Sequence, residues 1–201
     1  MQTIAAALGV SCDYCHAQRG SPPAVTASGK SRQDVAREMI AMTRALNATV
    51  QAATGKAANE AVSVQCVTCH RGVPIPRQLV DVLWQTTFRQ GAPAAVTQYR
   101  ELRAQSYGKQ SYDFSEGTLV VVAQRIGQIR PDDAIALMEL NLEFFPRSAR
   151  SYVTLAIAQS RRDGVAAIAS LKKALEISPD DGEVKGRLFQ LEQIVERQPQ
   201  R

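Results

Sequence analysis

The sequence predicts an all-α protein in two parts: a domain of few helices and long loops, then a module of helical hairpins. Three observations carry that expectation. The 201 residues are 45% hydrophobic but only 5% aromatic, rich in alanine and poor in long β-branched runs, which favours aliphatic, helical packing. Val35, Met39, Met42 and Leu46 recur at i, i+4, i+7 and i+11, the stripe of one helix face. In the second half, a pattern returns at an offset of 33 residues.

Taken in order, Met1 to Leu8 is alanine-rich and suits a helix that ends at Gly9. Gly20-Ser21-Pro22-Pro23 reads as loop. Ser31, with Asp34 three residues on, is a weaker form of the capping box and should open the clearest helix. After Asn47 the pattern loosens through Thr54-Gly55-Lys56. Arg71 to Pro76 should be extended, because Pro74 and Pro76 exclude a helix. The first domain is therefore expected over residues 1–83. Residues 84–112, with Trp84, Phe88 and Tyr99, should form a connecting helix or cap.

Residues 113–198 are expected to hold the repeat. Asp133 to Met138 aligns with Ala166 to Leu171, and Pro146 then falls on Pro179. The offset lies close to the 34-residue period of tetratricopeptide repeats. Ala134 and Ala167 would take the small-residue position where paired helices approach closely. Pro146 and Pro179 would stop the second helix of each pair, placing the pairs near 115–145 and 150–178. A plain pair of helical hairpins is the alternative. The longest apolar run, Leu119 to Ala123, is far too short to span a bilayer, so no transmembrane segment is expected.

All four cysteines and both histidines fall into two copies of one five-residue pattern, Cys12-Asp13-Tyr14-Cys15-His16 and Cys66-Val67-Thr68-Cys69-His70. C-x-x-C-H is the attachment signature of c-type haem. Two thiols reach the two vinyl groups of one porphyrin, and the adjacent histidine turns its ring to the iron. Cys12, Cys15, Cys66 and Cys69 are thus the expected thioether links, and His16 and His70 the proximal iron ligands of two haems c. A zinc site would want its cysteine pairs roughly 15–20 residues apart and gives no reason for the histidines. Disulfides do not explain the histidines either.

Both histidines being used, bis-histidine ligation within this chain is excluded, and methionine is the remaining soft ligand. The four candidates are Met1, Met39, Met42 and Met138, of which Met138 sits at a core position of the repeat. Arg71, beside the second motif, is a candidate contact for a haem propionate, with a solvated arginine as the alternative.

The net charge of +5 does not indicate a nucleic-acid partner. Residues 1–90 carry nine Lys/Arg against five Asp/Glu, and residues 91–201 carry fifteen against fourteen. The excess lies around the two motifs, where four propionates would roughly cancel it, and no dense basic run interleaved with aromatics occurs. Covalent haem implies an extracytoplasmic, for example periplasmic, location. Met1 to Val10 has no basic n-region, so the sequence is expected to be a processed or truncated form.

Three blocks resemble the cytochrome subunit of photosynthetic reaction centres and its non-photosynthetic relatives: Met1-Gln2-Thr3-Ile4 through Leu8-Gly9-Val10-Ser11 to the first motif, Ala36 to Asn47, and Cys66 to Gly72. The resemblance covers roughly residues 1–77. It implies a methionine on the helix before each motif as distal ligand: Met1 for the first haem, and Met39 rather than Met42 for the second. The photosynthetic subunit carries four haems and one histidine distal ligand. This chain has two motifs and no spare histidine, like half of that architecture, and its repeat tail is not part of that subunit.

The expected function is electron transfer with redox-protein partners, the repeats docking the carrier on a membrane-bound or multi-subunit complex. One alternative is a structural subunit of a respiratory complex or cytochrome filament. Another is a dihaem peroxidase-type enzyme, which needs an open iron position and a polar distal group.

Overall fold

Capping chemistry sets the helix boundaries of this all-α protein. The computed structural model describes residues 2–16 and 25–197, and among them the only extended pairing is an isolated bridge between Val25 and Ser31. The helices are α1 (Gln2–Leu8), α2 (Arg32–Thr54), α3 (Cys66–His70), α4 (Leu79–Gln90), α5 (Ala92–Ser106), α6 (Glu116–Ile126), α7 (Pro131–Phe144), α8 (Ala149–Gln159), α9 (Gly164–Ile177) and α10 (Gly182–Arg197), with a single 3-10 turn at Cys12–Tyr14. The chain divides into two compact units, Met1–Pro76 with Gly108–Ser111, and Arg77–Tyr107 with Tyr112–Arg201.

In the first unit, Ser31 caps α2 by accepting from the Asp34 amide at 3.1 Å, while its hydroxyl donates to the Asp34 carboxylate at 2.6 Å. The helix does not loosen after Asn47. Instead it continues to Gly55, whose left-handed conformation (φ 65°) closes it. Asn47 is retained mid-helix because its side chain is occupied elsewhere: Nδ2 donates to the Val64 carbonyl and Oδ1 accepts from the Val64 amide, at 2.9 and 2.7 Å. That pair ties the middle of α2 to the strand-like approach to Cys66. At the other end, Gly72 donates its amide to the Ala7 carbonyl at 2.9 Å. Gly9 lies so close that a β-carbon there would stand 2.2 Å from the Gly72 oxygen. Ser111, returning from later in the chain, donates to the Arg71 carbonyl at 2.6 Å.

The second unit is built on a continuous aliphatic core. Leu79 and Leu83 of α4 and Tyr99 of α5 are buried together with Leu119, Val122 and Leu137 of α6 and α7. The sequence placed a boundary near residue 83, but the units part after Pro76, because α4 uses Leu79 and Leu83 to close this core. Residues 84–112, expected as a connecting helix or cap, contribute the end of α4 and all of α5, with Gly108–Ser111 belonging to the first unit.

From α6 onward each helix packs on its successor. Glu116, Ala149 and Gly182 open α6, α8 and α10 at intervals of 33 residues, and Pro131 and Gly164 open α7 and α9 at the same interval. Ala134 and Ala167 are both buried, Pro146 and Pro179 each follow a helix end, and Leu155-Ala156 faces inward. Small side chains allow the close approach: a β-carbon on Gly127 would lie 3.3 Å from the Ala134 methyl, and one on Gly164 would meet Val195 at 2.5 Å. No helix among the described residues is long and apolar enough to cross a membrane.

Candidate cofactor site

The first motif folds as the 3-10 turn Cys12–Tyr14, with the Cys15 and His16 amides donating back to the Cys12 carbonyl at 3.2 and 3.0 Å. This tight turn brings Cys12, Cys15 and His16 to one wall of a cavity of ≈ 770 Å³, partly open to solvent, whose opposite wall is Ala36 and Ile40 of α2. Gln33 of α2 reaches the same cavity and sets its amide 3.2 Å from the His16 Nδ1.

The second motif is the whole of α3. One helical turn places Cys66 and Cys69 three residues apart on one face. His70 is the one buried member of the motif, 9% exposed, and its Nδ1 lies 3.0 Å from the Val73 carbonyl. That carbonyl is delivered by a sharp reversal in which Arg71 and Gly72 both take positive φ, 48° and 85°. With Nδ1–H donating to Val73, the Nε2 lone pair is left for a metal. Cys66 and His70 line a second cavity of ≈ 700 Å³, and Met39 lies on the same wall-lining set.

The two cavities share a wall. Ile4 and Leu8 of α1, Cys15, and Ala36 and Ile40 of α2 line both. The lining is largely aliphatic, suited to a flat hydrophobic macrocycle held by thiols at its edge.

This donor set fits haem c and does not fit zinc. All four thiols are free, and among the described residues no three Cys, His, Asp or Glu side chains converge on one point. A structural zinc ion needs four converging ligands. What the first motif does present is two thiols and one imidazole at an apolar cavity, and the second presents Cys66 and His70 at its own, with Cys69 one helical turn from Cys66.

The other sequence candidates separate clearly. Met39 faces the second cavity, whereas Met42 is 43% exposed and lines neither. Three residues on from Met39, the helix has turned Met42 partly toward solvent. Met138 is fully buried in the second unit's core, as its position in the repeat implied. Cys69 is exposed and is not part of the second cavity's lining. Arg71 is exposed, and its Nε donates back to the Thr68 carbonyl at 3.4 Å. Met1 lies outside the described residues.

Sequence reasoning missed Arg32 and Gln33. Arg32 stacks its guanidinium 4.0 Å from the centre of the Tyr14 ring, donates to the Tyr14 carbonyl at 3.1 Å, and lines the second cavity. The signal available was helical phase: Arg32 stands two turns before Met39 on the same face. Beside them, the Ser31 hydroxyl holds the Asp34 carboxyl below its ordinary value, with Arg37 reinforcing the shift.

The family model for the photosynthetic reaction centre cytochrome C subunit matches residues 1–119. The chain belongs to this family. A search of curated proteins found no match. The matched span takes in both motifs, α1 to α5 and the start of α6, so it reaches well beyond the three blocks seen in the sequence. As a member of this cytochrome family, the chain is a haem c-binding electron-transfer subunit. The helices α7 to α10 lie outside the match.

Proposed function

We propose that this reaction-centre-type cytochrome is an extracytoplasmic electron carrier holding two haems c, each with histidine and methionine ligation. The observation that supports it most directly is the pair of adjoining cavities, each bordered by its own C-x-x-C-H motif. The bound haems would supply one-electron iron chemistry.

In this reading each of the chain's own groups has a role. Cys12, Cys15, Cys66 and Cys69 anchor by thioether bonds, which fix position without relying on affinity. His16 and His70 are proximal ligands, and the Val73 carbonyl holds His70 in the tautomer that frees Nε2. Met39, which lines the second cavity, would hold the second haem's iron opposite the histidine, and Met1, on the family resemblance, would do so for the first. A thioether opposite imidazole raises potential relative to a second imidazole. The shared wall of Ile4, Leu8, Ala36 and Ile40 excludes water between the two sites. Arg32, which lines the second cavity, would meet a propionate, and Arg71 beside the second motif is the other candidate.

The helices from α6 onward serve as a tetratricopeptide-like docking module, residues 113–198, that carries the motif-bearing first unit to redox partners in a multi-subunit complex. Their 33-residue spacing and nearest-neighbour packing support this role. The test is stoichiometric. The intact mass of native protein should exceed the polypeptide by two haem units, and denaturation should not release them. Cys66→Ala should cost one haem; recovery of zinc or of a haem-free disulfide form would overturn the reading. Purification from native membranes should recover the partner complex with the intact chain.

A further inference from the structure

We propose that Gln33 is the positioning residue of the first motif's histidine, holding the His16 ring through Nδ1 and thereby tuning one of the two redox steps. The inference deepens the two-haem reading and rests on it. The Gln33 side-chain amide nitrogen, Nε2, lies 3.2 Å from the His16 Nδ1, and both side chains line the first cavity with Cys12 and Cys15. His70 meets the same requirement differently, through the backbone carbonyl of Val73.

The chemistry of imidazole makes the contact consequential. A ring that gives Nε2 to a metal keeps its proton on Nδ1 and donates it. With Nδ1 protonated, a half-turn of the Gln33 side-chain amide exchanges Nε2 for Oε1 at the same position, and Oε1 accepts. An acceptor pulling on Nδ1–H makes Nε2 a stronger donor, which favours the oxidised metal and lowers the potential. The Gln33 backbone is fixed on the first turn of α2, beside the Ser31 cap and next to Arg32, which is bound to the Tyr14 carbonyl. The acceptor is therefore held at a defined distance from the motif. It also differs from Val73 in being a side chain, so a single substitution can remove or strengthen it.

The experiment compares the wild-type holoprotein with Gln33→Leu and Gln33→Glu by spectropotentiometric titration. Leucine and glutamate are both good helix formers, so α2 should persist in both. Loss of the acceptor in Gln33→Leu should move one step to higher potential. The anionic acceptor in Gln33→Glu should move that same step to lower potential, with the other step unchanged in both. Proton NMR should show one histidine Nδ1–H exchanging faster with solvent in Gln33→Leu and regaining protection in Gln33→Glu. A purely structural role would shift both variants in the same direction. That result, or no shift in either variant with two haems present by mass, would overturn the assignment of Gln33. A wild-type mass showing only one haem would instead overturn the two-haem reading.

Discussion

Met39 and Met42 are two thioethers on one helix with opposite surroundings, one at the second cavity and the other in solvent. Met39→Ala should open one ferrous haem to carbon monoxide and lower its potential, both visible in the absorption spectrum. Met42→Ala, an exposed substitution, should leave stability within about 0.5 kcal/mol of wild type in a urea titration. The reverse pattern would assign the ligand to Met42. Gly9 and Gly55 allow a second comparison, since both adopt φ near 65°. A methyl group at Gly55 meets nothing within 4 Å, so Gly55→Ala should cost only the left-handed strain, roughly 1–2 kcal/mol. At Gly9 the methyl would collide with the Gly72 carbonyl, adding an overpacking cost of about 1–3 kcal/mol. Because that junction joins the segment before the first motif to the turn after the second, Gly9→Ala should also lower haem content per chain.

The element that organises the first unit is α2, which lines both cavities and starts at a single hydroxyl cap. Ser31→Ala should destabilise the unit by about 0.5–2 kcal/mol. The same cap makes α2 sensitive to acid. The Asp34 carboxyl is held below its ordinary value of 3.8, chiefly by the Ser31 hydroxyl. A carboxyl depressed in the folded state stabilises it above the unfolded value, and that contribution is lost as pH falls through the lower folded value. Helical signal should therefore decline below about pH 3.8, and Ser31→Ala should shift the acid midpoint upward. An acid midpoint unchanged in Ser31→Ala would show that Asp34 is not coupled to the cap. Capping of this kind is legible in sequence because it acts over three residues. The persistence of α2 beyond Asn47 was not legible, since it depends on Val64, seventeen positions away in the chain.

At the scale of the whole molecule, both motifs lie in the first compact unit and the 33-residue period in the second. Leu137 is fully buried in the second unit's core. Leu137→Ala should cost about 2–5 kcal/mol and lower the far-ultraviolet melting transition of the second unit. The visible haem spectrum of the variant should melt as in wild type; equal shifts in both signals would mean that the units unfold as one.

The sequence by itself determined the attachment motifs, the family, the helical class and the 33-residue period. Each is a short-range or periodic signal: C-x-x-C-H spans five residues, and the repeat brings back Ala134 as Ala167 and Pro146 as Pro179. Tertiary structure alone decided which groups meet across long stretches of chain. It set Gln33 against His16, Arg32 against Tyr14, and Ser111 against the Arg71 carbonyl, and it drew α4 into the second unit's core. It also turned Met42 away from the cavity that Met39 faces. The physical reason is that a cap or a thiol pair is specified by neighbours along the chain. A hydrogen bond over seventeen or forty residues is specified only when the packing of whole helices fixes both of its ends.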